Sequence, residues 1–385
     1  MARHSSVGWE DAQVTESVLV AIGAARHLPH DRVAPLDPRH PMAHAPMQVR
    51  LEVDGGVIVS ADPQIGLLNR SVEKLFEARD YRQLMMLANR HDWVSPFASE
   101  VGVALTLESA MGITPPECAT WTRTLLLELT RVSAALLFLG SAIGDEEMLR
   151  LRERYVALQE LATGNRVHPM FARIGGIAHS VTSEWLAHVR EIADRTDHEL
   201  PRISDAVLAY AGAHIGLAEL SYSDALGFGA TGPVGCASGV SIDLRTQQPY
   251  LAYGELAEFL DRETFASGDL SARYSALLAE IAPSLAMIRA CTERVQALGD
   301  AAVNVPLPKV VKAPEGTYYG QIDSPTGLSG YLLVSTAEKA PWRFKLRTPS
   351  FAHAQALTAA LVGCPIDQLE SALMSFFLVT GDIDR

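Results

Sequence analysis

Thiol chemistry has little to work with in this chain. The four cysteines, Cys118, Cys236, Cys291 and Cys364, lie far apart, with no CxxC pair and no Cys/His group at metal-ligand spacing. A metal held through cysteine is thereby excluded, and a reducing compartment fits. Positive charge is also scarce. Against 45 acidic residues stand 32 basic ones, a formal net charge of −13, and no basic run is available to grip phosphate. Nucleic acid is excluded as a partner on that ground. Nor is there a long apolar run free of charge. The most apolar stretch, Leu125 to Gly140, contains Glu128 and Arg131, each costing several kcal/mol near a bilayer centre. It reads as a buried helix whose two charges satisfy each other or facing helices. The opening MARHSSVGWEDAQ lacks the apolar core of a secretory signal, so membrane association is expected through a partner.

What is present is core-forming material. A chain of 385 residues with 48% hydrophobic side chains can bury the core of one large domain or of two fused ones. In MQVRLEVDGGVIVS, Val49, Leu51 and Val53 alternate with Arg50 and Glu52 before Asp54-Gly55-Gly56, which predicts a β-hairpin over 47–62. The Pro- and His-rich stretch before it, His27 to Pro46, suits neither helix nor central strand and reads as an ordered loop or insertion, closing an N-terminal segment 1–46. Apolar residues three and four apart predict helices around Leu67–Ala78 and Phe97–Met111, with a polar cluster from Tyr81 to Pro96 between them. Thr114-Pro115-Pro116-Glu117 resembles a capping box, predicting a long helix from there to about Phe138. Asp145 is a candidate cap for the next helix, which should stop at Gly164; more helices are expected near 180–199, 202–220 and 270–298. The helical core spans 63–300. Over 301–385 strands return, at Thr317–Asp323 and Gly330–Ser335 around a Ser-Pro-Thr-Gly turn and at Trp342–Arg347. The fold class is α+β, mainly α: a helical core with β-rich ends.

Several segments taken in order resemble the D-type subunit of bacterial NADH:quinone oxidoreductase, the 49-kilodalton subunit family of respiratory complex I. They are HPMAH, ADPQIGLLNRSVEKL, NRHDWVSP, ARIGG at 172–176, ATGP with ASGVSIDLR, SPTGLSGYLLVS, WRFKLRTPSF and the terminal GDIDR, spanning roughly His40 to Arg385. The family belongs to the nickel–iron hydrogenase large-subunit superfamily, so the resemblance implies a hydrogenase-like helical bundle. A hydrogenase needs two cysteine pairs to hold its metals. Neither NRHDWVSP nor MSFFLVTGDIDR contains a cysteine, so this is a divergent member without that metal site.

The resemblance also assigns residues. His44 matches a loop histidine that reaches the quinone head group, and an imidazole suits proton delivery to a reduced quinone; it is otherwise a surface histidine of a His-rich loop. Ala45 and Pro46 follow it where the family has a glycine first. Trp93 occupies the place of the family's quinone-binding tyrosine. Indole can donate one hydrogen bond but lacks a phenol's acidity, so Trp93 is either part of a modified quinone site or a core aromatic in a disused one. Asp145 matches an aspartate that pairs with the loop histidine and helps relay the redox event, and is otherwise a helix N-cap. Arg70 matches an arginine near the partner's terminal iron–sulfur cluster, the alternative being a salt bridge to Glu73; nearby family histidines are Gln64, Asn69 and Arg82 here. Asp382 and Arg385 are expected as packing and pocket-wall residues.

Together these imply a subunit that forms, with the B-type subunit, the site of electron transfer from a 4Fe-4S cluster to quinone, coupled to proton translocation. No cofactor or metal is expected on this chain. Quinone is the substrate, the cluster sits in the B-type subunit, and NAD(H) and FMN sit on other subunits if present. The B-, C- and H-type subunits are the expected partners, with the I-type as a further neighbour, and the place is the cytoplasmic side of the bacterial inner or plasma membrane. The alternative is a non-catalytic structural paralogue in a complex I-like assembly.

Overall fold

The computed structural model describes residues 15–22, 32–35 and 46–385. His44, together with the rest of its loop, lies outside these residues. The hairpin forms as its alternation demands, β3 (Met47–Asp54) against β4 (Val57–Gln64). Gly55 and Gly56 connect them at φ 56° and 83°, a pair of positive angles that a tight two-residue turn requires and only glycine adopts freely. Two strands within the N-terminal stretch extend this into a four-stranded sheet: β1 (Glu16–Ile22) runs antiparallel to β3 and parallel to β2 (Arg32–Pro35), in the order β2-β1-β3-β4. So the stretch read as loop contains an edge strand, where prolines are tolerated because one side needs no ladder bond.

Helices follow: α1 (Val72–Glu77), α2 (Leu84–Ala88), α3 (Pro96–Met111), α4 (Glu117–Ile143) and α5 (Glu146–Thr163). After the small ribbon of β5 (Ala172–Arg173) and β6 (Gly176–Ile177) come α6 (Ser183–Gly212), α7 (Tyr222–Phe228), α8 (Gly232–Ala237), α9 (Leu244–Gln247), α10 (Leu270–Ala279) and α11 (Ile281–Leu298). A three-stranded sheet, β7 (Gly316–Ser324), β8 (Gly327–Ser335) and β9 (Arg343–Arg347), precedes α12 (Pro349–Ala360), α13 (Leu369–Met374) and α14 (Thr380–Ile383). The α+β, mainly α, expectation holds.

Four boundaries differ from the sequence reading. The helix expected from Leu67 starts only at Val72, because the amides of Gly66 and Leu68 are each drawn 2.7 Å from the Asp384 carboxylate and Ser71 is left-handed at φ 57°. Thr114 does not cap α4. Two prolines hold the chain extended, so Pro116 is the cap position and has no side-chain bond to offer. The helices expected on either side of Pro201 are one helix, α6, since that proline is exposed and water can serve the carbonyl it leaves free. Conversely, the 270–298 segment breaks at Glu280 into α10 and α11.

The core sits around α4, which packs against α5 and α11, while α3 lies against β7 and β8. The α4 helix and the run Leu270–Leu298 are apolar and long enough to cross a membrane, yet 72% of the apolar window of α4 is buried inside the protein. Its charges are accommodated as expected and further. Glu128 meets Arg131 at 3.3 Å and also accepts from Tyr253 Oη (2.5 Å) and Ser284 Oγ (2.6 Å). Arg131, Arg245 and Arg262 interleave there with Glu128, Asp243, Glu280 and Asp323. Burial opposes ionisation of Glu280, but Arg245, Arg262 and Arg131 overcome it and hold the carboxyl far below its usual range.

Candidate functional site

The segment NRHDWVSP forms the turn between α2 and α3, and Asp92 organises it. Its carboxylate accepts from the amides of Val94 (3.0 Å) and Ser95 (2.9 Å) and from Ser95 Oγ. Pro96 then opens α3, where its missing N–H costs nothing. Trp93 lies at the crest, half-buried, with Gly381 of α14 beneath it. A Cβ on Gly381 would lie 2.3 Å from the Trp93 ring and 2.4 Å from the His91 carbonyl, so this close approach admits only glycine.

Trp93 is a wall common to two cavities. The larger, about 580 Å³, is also lined by Leu137 and Ser141 of α4 and by Leu149, Arg150 and Glu153 of α5. The smaller, about 300 Å³, continues along the same two helices past Thr130, Ser133, Tyr155 and Gln159. Both volumes suit a small-molecule head group. The indole makes no hydrogen bond among the described residues, which leaves its N–H as a donor for a ligand.

Asp145 sits at the junction of α4 and α5, next to Glu146 on the wall of the larger cavity. It caps α5 by accepting from Met148 N (3.0 Å), as the sequence suggested, and its second oxygen accepts from Arg202 (2.6 Å). Burial works against the ionised form, but the Met148 amide and Arg202 hold the carboxyl below its ordinary value. The cation beside it among the described residues is therefore Arg202.

Arg70 does not pair with Glu73. It donates to the Arg90 carbonyl at 2.9 Å, while Glu73 accepts from the Leu346 amide and faces Arg343 and Arg385. Arg70 thereby lies against the Trp93 turn. On the same side His168 takes the Asn89 carbonyl at 3.0 Å, and burial, then Arg90 and Arg70, push its imidazole below the usual value. Arg70, Arg82, Arg90 and Arg173 have carbonyl partners and no carboxylate among the described residues, which makes a basic face on an acidic protein. Of the residues noted as replacing family histidines, Gln64 bonds Asp62 (2.6 Å), Asn69 caps the local turn at Ser71, and Arg82 reaches the Pro308 carbonyl.

Two histidines had escaped the sequence reading. His168 precedes the ARIGG segment and could have been flagged by it. His91, inside NRHDWVSP, is 1% exposed, and its Nδ1 lies 3.0 Å from Asp382 Oδ1. Asp382, expected as a pocket-wall residue, is buried, and its other oxygen accepts from the Ser350 amide. Arg385 packs over the Phe351 ring, 4.5 Å from its centroid.

The Trp93 turn and the C-terminal turn that supports it at Gly381 both lack cysteine. Residues 145–311 and 307–385 match the family described as respiratory-chain NADH dehydrogenase, 49 Kd subunit. The NADH-quinone oxidoreductase D-type subunit numbered 2 in Salinispora arenicola is 42% identical, covering 97% of this chain and 99% of the relative. The D-type subunit numbered 1 in Streptomyces coelicolor is 42% identical over 96% and 99%, and that of Carboxydothermus hydrogenoformans 33% over 90% and 96%. The chain belongs to the 49-kilodalton subunit family of respiratory-chain NADH dehydrogenases, within the nickel–iron hydrogenase large-subunit superfamily.

Proposed function

We propose that this chain is the quinone-site subunit of a complex I-type NADH:quinone oxidoreductase, and that with an iron–sulfur partner of the B type it forms the site where electrons reach quinone, coupled to proton translocation. The observation that carries this is Trp93, an indole donor without a partner among the described residues, standing between two cavities along α4 and α5. An apolar wall with a few polar groups suits a flat quinone ring that needs its oxygens held. Asp145 directly precedes Glu146, which lines the larger cavity, and the basic face around Arg70 and Arg90 suits a partner carrying a negatively charged cluster. His44 completes the site as a head-group ligand and proton donor. The C-, H- and I-type subunits as further neighbours, NAD(H) and FMN on other chains, and a peripheral position on the cytoplasmic side of the membrane complete the assignment.

The test uses membranes carrying the complex. Trp93→Ala and His44→Ala should each lower inhibitor-sensitive, NADH-driven quinone reduction by about tenfold or more, while NADH oxidation by ferricyanide, which does not need the quinone site, stays intact. Unchanged quinone reduction in both variants would refute the roles given to Trp93 and His44, and absence of inhibitor-sensitive quinone reduction in the wild-type complex would point instead to a non-catalytic paralogue.

A further inference from the structure

The two cavities beside Trp93 lie end to end along the cleft between α4 and α5. On α5, Leu149 and Glu153 face the larger one and Val156 and Gln159 the smaller. On α4, Leu137 and Ser141 face the larger one and Thr130 and Ser133 the smaller. Both stripes recur at three and four residues, the spacing of a single helix face. Only Trp93, Val94 and Arg152 line both cavities among the described residues. Arg152 lies three residues after Leu149 and four before Val156 on the same stripe, so it marks the neck where the cavities meet.

Three arginines stand on these walls, and two of them are fully engaged. Arg150 is held by Glu146 and Glu147, and Arg166 by Glu153 and Glu160. Arg152 has a single partner among the described residues, Glu153, which it meets through Nη1. Glu153 divides its two oxygens between Arg152 and Arg166, so Arg152 is neutralised only in part. Its Nε is sealed from solvent without a partner. Its Nη2 also has no partner among the described residues and is not sealed, so this is the atom that an oxygen in the neck would meet. The Arg152 side chain is 28% exposed, against 63% for Arg150 and 48% for Arg166, so water weakens its field least. The neck is thus flanked by two residues with donors to spare, the Trp93 indole and the Arg152 guanidinium.

We infer that Arg152 is the oxyanion ligand of this site, its guanidinium holding the head-group oxygen that carries negative charge during reduction. This rests on the quinone reading. Reduction takes two electrons from the partner's iron–sulfur centre and two protons. His44 keeps its role and gives the first proton to one oxygen, which leaves the negative charge on the other. Trp93 has no acidic proton to neutralise it. Arg152 holds that charge until the second proton arrives from solvent and completes the quinol, and no bond of Arg152 breaks. A cation already in place needs no rearrangement at that step, and planar N–H donors suit an anionic oxygen. The ligand class follows: quinone rings bearing an ionised oxygen bind the neck more tightly than neutral rings of the same size.

The experiment uses membranes carrying the complex and two competitors of NADH-driven reduction of a short-chain quinone. One is 2-hydroxy-1,4-naphthoquinone, whose hydroxyl is ionised at neutral pH, and the other is its neutral 2-methoxy counterpart. Arg152→Gln should raise the inhibition constant of the hydroxy compound by about tenfold or more, the loss expected for a hydrogen bond to a charged group. The methoxy compound should stay within about threefold of wild type, under half of one tenfold step on the free-energy scale. With the short-chain quinone, kcat should fall by about tenfold while KM changes less, because the anion forms only during turnover. Subunit incorporation is measured alongside. If Arg152→Gln fails to assemble, Arg152→Lys, which keeps the charge and loses the planar fork, carries the test with a smaller shift of the same sign. Equal shifts for the two competitors, or none for either, would overturn the inference and leave the quinone reading standing. Absence of inhibitor-sensitive quinone reduction in the wild-type complex would overturn the quinone reading itself.

Discussion

Glu108 offers a sharp test of what holds the site's surroundings in place. It stands on α3, 2% exposed, opposite the fully buried Arg123 on α4. The two meet in a bidentate pair, Nη2 to Oε1 at 2.7 Å and Nη1 to Oε2 at 3.0 Å. Glu108 also accepts from the Gly175 amide (2.7 Å), while Arg123 donates to the carbonyls of Arg173 and Gly176 (2.6 Å each). The pair therefore ties the β5–β6 ribbon, and with it the basic face, to the two central helices. Glu108→Gln keeps an acceptor for Gly175 and removes the charge. Breaking a buried pair by removing one partner costs about 3–5 kcal/mol, and the retained acceptor favours the lower end. At about 1.4 kcal/mol per factor of ten, local opening of the ribbon should become about a hundredfold easier. Hydrogen exchange measured on the assembled complex should show this acceleration at Gly175, and α4 should keep its protection. Exchange at Gly175 within about threefold of wild type, well under one 1.4 kcal/mol step, would refute the reasoning and reduce the pair to a bystander.

Two further outcomes follow from charge and burial. Asp145→Asn keeps a competent N-cap and loses only the contact to Arg202, which is 43% exposed, so it should cost no more than about 1 kcal/mol of stability; if Asp145 serves the quinone site, quinone reduction falls about tenfold, and an unchanged rate would leave it a helix cap. His353 tests linkage: burial, then Arg347, lowers its imidazole to about 3 in the folded protein, against about 6.5 when unfolded. The neutral form is the folded form, so its contribution is intact above about pH 6.5 and is lost as pH falls towards 3, amounting to about 2 kcal/mol by pH 5. His353→Gln should flatten the drop in melting temperature of the complex between pH 7 and 5, and an identical drop would count against it.

The local code was legible wherever neighbours in sequence are neighbours in space. The Gly55-Gly56 hairpin, the Asp145 cap and the α4 pairing of Glu128 with Arg131 are such cases, because turn, cap and i,i+3 geometry need no distant partner. Family resemblance named Trp93, Arg70 and Asp145 as candidates, and the family assignment itself stands. Boundaries failed where a distant group intervened: Asp384 unwinds the start of the first expected helix from the other end of the chain. Arg70 was weighed against a partner three residues away and took a carbonyl twenty residues away instead.

By itself the sequence determined the class of fold, the absence of cysteine from NRHDWVSP and from the terminal segment, and the presence of Trp93 in that turn, since all three are matters of residue type and order. Only the tertiary structure decided that Trp93 stands between two cavities and rests on Gly381, that Asp145 answers to Arg202, and that His91 and Asp382, 291 positions apart, share a buried contact. Burial is what gives such a contact its weight, because polar groups sealed from water must satisfy one another. That depends on which distant segments close over them, which is not written in the spacing of either residue.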